Sequence, residues 1–152
     1  MRRRQSIPGR WLVANGKMDR QFWLGLKQLP RGSGVLLLNR PSRSALRRLH
    51  NLAALRGLLI VAEAPFEAAR VHNIRELRQS LLRRTAFVLL SPMFETSSHA
   101  DWKPLPRMRA ASLARLGKRR LIALGGMNEG RYRKIAQLGF IGWAGISAWL
   151  PG

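Results

Sequence analysis

The chain has 152 residues, no cysteine, and 28 Lys and Arg against 7 Asp and Glu, for a formal net charge of +21. The missing thiols exclude disulfides and thiolate-bound metals and fit a cytoplasmic setting, while a 46% hydrophobic content with five Trp and five Phe excludes a disordered chain. So much positive charge asks for an anionic partner, a phosphorylated small molecule, a nucleic acid or an acidic protein, but pairs such as Arg47-Arg48, Arg83-Arg84 and Arg119-Arg120 suit solvated faces and do not choose among these.

The length suits a single domain over residues 1–152, large enough to bury a core. The opening MRRRQSIPGRW has no apolar stretch of the kind a secretory leader needs, and no apolar run approaches the ~18–20 residues of a membrane helix. A soluble protein is expected.

Along the chain, short apolar runs alternate with segments of helical period. RWLVAN (10–15) reads as a first strand. Asp19 can cap a following helix whose Phe22, Trp23, Leu26 and Leu29 share a face, with Gly32 just past its end. GVLLLNR (34–40) is the next strand; Ser42 can cap a helix that turns Ala45, Leu46, Leu49, Leu52 and Leu55 inward and closes at Gly57. LLIVAEA (58–64) and AARVHN (68–73) follow as two strands with almost nothing between them. Asn73 and Glu76 have the spacing of a capping box for a helix that places Ile74, Leu77 and Leu81 against the core. AFVLLSPMF (86–94) is a strand, followed by the longer loop ETSSHADWKPLP and a helix near 107–116. RLIALGG (120–126), a helix opened by Asn128 that buries Ile135 and Leu138 and stops at Gly139, and FIGWAGIS (140–147) complete the series.

This rhythm predicts an α/β protein with a mostly parallel sheet, either doubly wound or a (β/α) barrel, and near-continuous apolar runs suit strands covered on both faces. In both architectures functional groups collect at the carboxyl ends of strands. Three such ends carry groups suited to an anion. Thr96, Ser97 and Ser98 offer hydroxyls; Gly125 and Gly126 let backbone approach a ligand closely, just before a helix start; Gly145 precedes the amides of Ile146 and Ser147. Singly these are ordinary turns and packing glycines. In a barrel they would converge.

LSPMFETSSH, then ALGGM, then GWAGISA, in that order, resemble the thiamine phosphate synthase and thiazole tautomerase family from about Val71 to Leu150. The resemblance implies a TIM-type (β/α) barrel, here shortened to about seven strands. It implies that a thiazole phosphate is held by Thr96 and Ser98, by Gly126 beside Gly125, and by the amides of Ile146 and Ser147, with His99 standing in for the cation that follows the Thr/Ser pair in relatives. In LLLNRPSR, Arg40 matches an arginine that grips the pyrimidine diphosphate in the synthase, whereas the accompanying glutamine and lysine are absent. His72 matches the histidine that moves a proton in the tautomerase branch, and Arg70 replaces a serine.

The synthase also uses Mg²⁺, held through an Asn-Asp pair after the third strand and an Asp after the fourth. Here the third strand reads LLIVAEAPFEAA and runs into RVHN, so those donors are missing together with a strand and helix between Ala64 and Ala68. No metal site is therefore assigned, and full Mg²⁺-dependent condensation at family rates is not expected. The three histidines, His50 on a helix and His72 and His99 at strand ends, have no zinc-site spacing. A barrel short of a strand exposes two edges, which pairing into a homodimer would cover. Two alternatives are a non-catalytic binder, or tautomerase-like isomerase, for a thiamine-pathway phosphate, and a polyanion or nucleic-acid binder using the basic surface. The latter lacks an RNA-binding signature.

Overall fold

The computed structural model describes residues 7–16, 18–96, 101–118 and 120–150. Its elements follow the predicted alternation: β1 (Arg10–Ala14), α1 (Arg20–Gln28), β2 (Gly34–Leu37), α2 (Arg43–Arg56), β3 (Leu59–Ala62), β4 (Ala68–Val71), α3 (Ile74–Leu82), β5 (Phe87–Leu90), α4 (Arg107–Leu116), β6 (Leu121–Leu124), α5 (Glu129–Ile135) continuing into a 3₁₀ turn, β7 (Gly142–Gly145) and a last 3₁₀ turn at Ser147–Trp149. All strand pairs are parallel, in the order β3-β2-β1-β7-β6-β5-β4. The sheet curls into a nearly closed barrel, and the doubly wound alternative is set aside.

Helix starts form where the capping residues stand. Asp19 accepts a hydrogen bond from the Phe22 amide at 3.0 Å, Ser42 from Ala45 at 3.2 Å, Asn73 from Glu76 at 2.9 Å and Asn128 from Arg131 at 2.8 Å. Glu76 completes a variant of the capping box: its carboxylate accepts from the Asn73 side-chain amide at 2.9 Å instead of from the Asn73 backbone. Gly57 ends α2 with φ +63°, a left-handed conformation that suits glycine.

Alternate residues of each strand separate into two cores. Leu12, Val35, Val71, Val88, Leu90, Leu121 and Ala123 face the helices with Leu26, Leu49, Leu77 and Leu113. Trp11, Val13, Leu36, Val61, Ala68, Leu89, Ile122 and Ala144 fill the barrel interior. The Trp11 indole, edge-on to Phe87, plugs the interior, and a Cβ at Gly34 would collide with its ring.

Two expected core positions are corrected. Leu55 is 73% exposed, because six positions beyond fully buried Leu49 it lies about 240° around the helix, and Ala53 takes the inward place. Ile74, 47% exposed, is the first residue of α3 and lies about 60° off the direction of Leu77, so it borders the apolar stripe without entering the core.

The seam lies between β3 and β4, the two ends of the strand order. Parallel neighbours need a crossover of a dozen or more residues, and residues 63–67 are too few. They form a tight hairpin in which Ala64 and Ala68 exchange both backbone hydrogen bonds, at 3.0 and 3.1 Å. Its tip is pinned to the amino end of β5, where the Ala86 and Phe87 amides donate to the carbonyls of Phe66 and Glu67. Glu63 shares the face of Val61 and Arg70 that of Ala68, and the two bridge the seam with Nε–Oε2 at 2.6 Å and Nη2–Oε1 at 3.1 Å.

Candidate functional site

The carboxyl ends of six strands border one cleft of about 300 Å³. Asn15 follows β1, Leu38 follows β2, Arg70 lies in β4, Ser91 and Pro92 follow β5, Gly125 and Gly126 follow β6, Gly145 ends β7, and Ile146 and Ser147 come just after it. Thr96 and Trp102, from the segment after β5, and Leu150 complete the wall. A hollow of about 280 Å³ adjoins it, sharing Thr96, Gly126, Met127 and Ser147 and adding Glu95, Asn128, Arg131 and Ala148.

The sequence-predicted groups therefore meet: Thr96, Gly125, Gly126, Ile146 and Ser147 stand on one rim, although their segments are far apart in the chain. Ser98 and His99 lie outside the described residues. The glycine pair has a packing reason of its own. Gly125 has φ +101°, and a Cβ there would sit 3.0 Å from Pro92 Cα; Gly126 has φ +59°, and a Cβ would fall onto the Glu95 carbonyl oxygen. With Met93 and Phe94 amides donating to the Leu124 and Gly125 carbonyls at 3.0 and 3.1 Å, the end of β6 is laid directly on the segment that presents Thr96.

Other predicted residues stand elsewhere. His72 is beside the cleft and not on its wall; its Nδ1 lies 3.1 Å from Glu76 Oε2 and its ring meets Trp102 edge-on, centroids 6.0 Å apart. Arg40 is exposed and borders a different hollow with Gly16, Asn39 and Pro41. His50 is exposed on α2.

Two residues not singled out from the sequence shape the site. Arg131, from the first turn of α5, donates through Nη1 to the Gly126 carbonyl, and its guanidinium lies over the Phe94 ring at 5.1 Å. Trp102 supplies an aromatic wall. An arginine five residues after a strand-ending glycine was the available signal for the first; the second depended on how the loop folds back.

Among the described residues, no carboxylate lines the main cleft, Glu95 alone lines the hollow, and no group of three His, Asp or Glu could hold a metal ion. The Arg10 guanidinium, in a two-point hydrogen bond to Glu129 at 2.8 and 3.0 Å, holds that carboxyl below its ordinary range against the opposing effect of burial, helped by the Trp143 indole N–H; Glu129 in turn raises Arg10. Burial pushes the Tyr132 phenol up. No helix among the described residues is long and apolar enough to cross a membrane.

A family model described as thiamine monophosphate synthase matches residues 68–149. A solved thiamine phosphate pyrophosphorylase from Pyrococcus furiosus superposes with a TM-score of 0.73, covering 95% of this chain and 88% of that one at 14% identity. A second, from Bacteroides thetaiotaomicron, gives a TM-score of 0.52 over 93% and 84% of the two chains, also at 14% identity. These structures are similar in fold. No curated protein sequence matches the chain. The matched stretch begins at Ala68, the first residue after the hairpin.

Proposed function

The chain belongs to the thiamine monophosphate synthase family, and from that membership we propose that its rim binds a small heterocycle carrying a phosphate monoester, thiazole phosphate in this pathway. The observation that carries the reading is the convergence of Thr96, Gly126 and Ser147 on both the cleft and the adjoining hollow. Apolar side chains, Val13, Leu38, Trp102, Leu124 and Ile146, suit a ring, and hydroxyls and backbone amides suit the phosphate oxygens.

The synthase reaction, which joins thiazole phosphate to a pyrimidine diphosphate and releases pyrophosphate, uses Mg²⁺ in the family. A hard cation bridging two phosphates calls for carboxylate oxygens around it, and the described residues bordering this cleft include none. Arg40, the one match to the diphosphate-gripping motif, borders another hollow. The donor set does not fit the metal, and we assign the protein phosphate-ester binding without that condensation.

The test is calorimetric titration with thiazole phosphate. Thr96→Val is expected to weaken binding about tenfold or more, the value of a hydrogen bond to a charged group. Affinity equal to that of the parent protein would overturn the assignment of the rim.

A second reading is favoured by one observation. Asp19, Glu63, Glu76 and Glu129 are engaged in caps and internal pairs, which leaves a surface dominated by arginine and lysine. On that reading the protein binds a polyanion, and affinity falls steeply with salt. Thiazole phosphate binding that is insensitive to salt while RNA binding is absent would exclude it.

A further inference from the structure

Resting on the reading of the rim as a phosphate-ester site, we propose that Arg131 is the cation that neutralises the bound phosphate, so that binding at this rim is independent of divalent metal. Among the described residues, two arginines line the cleft and the hollow, and they differ in what holds them. Arg70 is already matched by a two-point ion pair with Glu63. Arg131 makes no ion pair among the described residues; its hydrogen bond goes to a neutral carbonyl, that of Gly126.

Its position is built. One nitrogen, Nη1, is tied to the turn after β6, and the guanidinium plane rests over Phe94, from the segment after β5. Both anchors belong to the segments that present Gly126 and Thr96. The guanidinium thus stands in the same hollow as Thr96, Gly126 and Ser147, with its ordering entropy already met and its remaining N–H groups available to two phosphate oxygens. Glu95 also lines this hollow, and its carboxylate is not within ion-pair distance of Arg131; it sets the limit that a second negative charge on the ligand would face. A monoester with one phosphate fits this balance better than a diphosphate.

The experiment titrates the full chain with thiazole phosphate, with the unphosphorylated thiazole alcohol and with inorganic phosphate, each in EDTA and in Mg²⁺. Arg131→Gln keeps a donor for the Gly126 carbonyl and removes the charge, and Arg131→Ala removes both. Both variants are expected to lose tenfold or more in affinity for thiazole phosphate and for inorganic phosphate while leaving the alcohol unchanged, and EDTA is expected to change nothing. Equal losses for ester and alcohol would mean that Arg131 only supports the turn and would overturn the proposal, as would unchanged phosphate affinity in Arg131→Gln or a tenfold gain with Mg²⁺. Thr96→Val separates the two levels. If it weakens ester binding and the Arg131 variants do not, the rim site stands and this inference fails; if the parent protein binds no ester, or none of the variants changes its affinity, both fail.

Discussion

Replacing Gly126 with alanine tests whether the end of β6 is pressed against the segment that carries Thr96. Two costs are expected. Holding a non-glycine residue at φ +59° costs about 1–2 kcal/mol. The new Cβ would also fall onto the Glu95 carbonyl oxygen, a backbone atom that cannot swing away, so the 92–96 segment must shift at a further cost of about 1–3 kcal/mol, as for overpacking elsewhere. Gly57 supplies an internal control, because its φ of +63° is nearly the same and nothing lies within 4 Å of a Cβ built there. Gly57→Ala therefore carries the backbone cost alone. The difference between the two variants isolates the contact and is expected to be about 1–3 kcal/mol, or about 2–12 °C in Tm for a chain of this size. Urea unfolding of the parent and both variants, followed by circular dichroism with the slopes compared, measures it. The Gly126 variant is also expected to lose thiazole phosphate affinity, since the displaced segment presents Thr96. Equal destabilisation by the two alanines would refute the close approach.

The Arg70–Glu63 pair is about one-third exposed on each side, so a double-mutant cycle with Arg70→Ala and Glu63→Gln is expected to give a coupling of no more than about 1 kcal/mol; a value several times larger would mean that the seam depends on this pair and not on the hairpin. Glu129 has its folded pKa lowered chiefly by the Arg10 hydrogen bond, so its contribution to stability is full above the ordinary carboxylate pKa and is lost as pH falls through the folded value. Parent and Glu129→Gln proteins should therefore differ in urea midpoint at pH 7 and converge in strong acid, and a gap that persists unchanged at low pH would contradict the linkage. Given thiazole phosphate, pyrimidine diphosphate and Mg²⁺, the purified chain is expected to release no pyrophosphate above a blank, and brisk EDTA-sensitive release would overturn the reading of the missing donors.

Much of the fold was legible because local signals agree with the global one. Apolar runs marked all seven strands, and Asp19, Ser42, Asn73 and Asn128 marked four helix starts through side-chain oxygens that accept the expected amides. The convergence of Thr96, Gly126 and Ser147 was legible only through the order of motifs in a barrel; no local feature brings them together. Leu55 misled because apolarity at roughly helical spacing does not say which residue of a turn reaches the sheet, and small Ala53 filled that place. Arg131 was hidden for a different reason. In sequence it is one arginine among many, and its role arises when α5 folds it onto Phe94, a residue from a separate strand end.

The open seam and the lack of carboxylates on the described wall of the cleft share a structural origin. In a (β/α) barrel each strand hands over to a rim loop, where ligand-binding groups sit, and then to a helix that returns the chain to the amino end of the next strand. After β3 this chain turns back at once: Ala64 and Ala68 are already bridged, and the residues between them are tied to the amino end of β5, on the side away from the cleft. No rim loop follows β3, so there is no backbone there to carry a metal-binding pair. Of the two acidic residues in this stretch, Glu63 is turned to Arg70 across the gap and Glu67 is exposed. The short turn between β3 and β4 thus fastens the seam. It leaves the opposite side of the rim, built from β5, β6 and β7, with its packing intact: Leu90, Ala123 and Ala144 are buried, and the backbone bonds from Met93 and Phe94 to β6 are in place. On the reading proposed above, a site for one phosphate needs only this side of the rim, because the segments that present Thr96, Gly126 and Ser147 all lie on it.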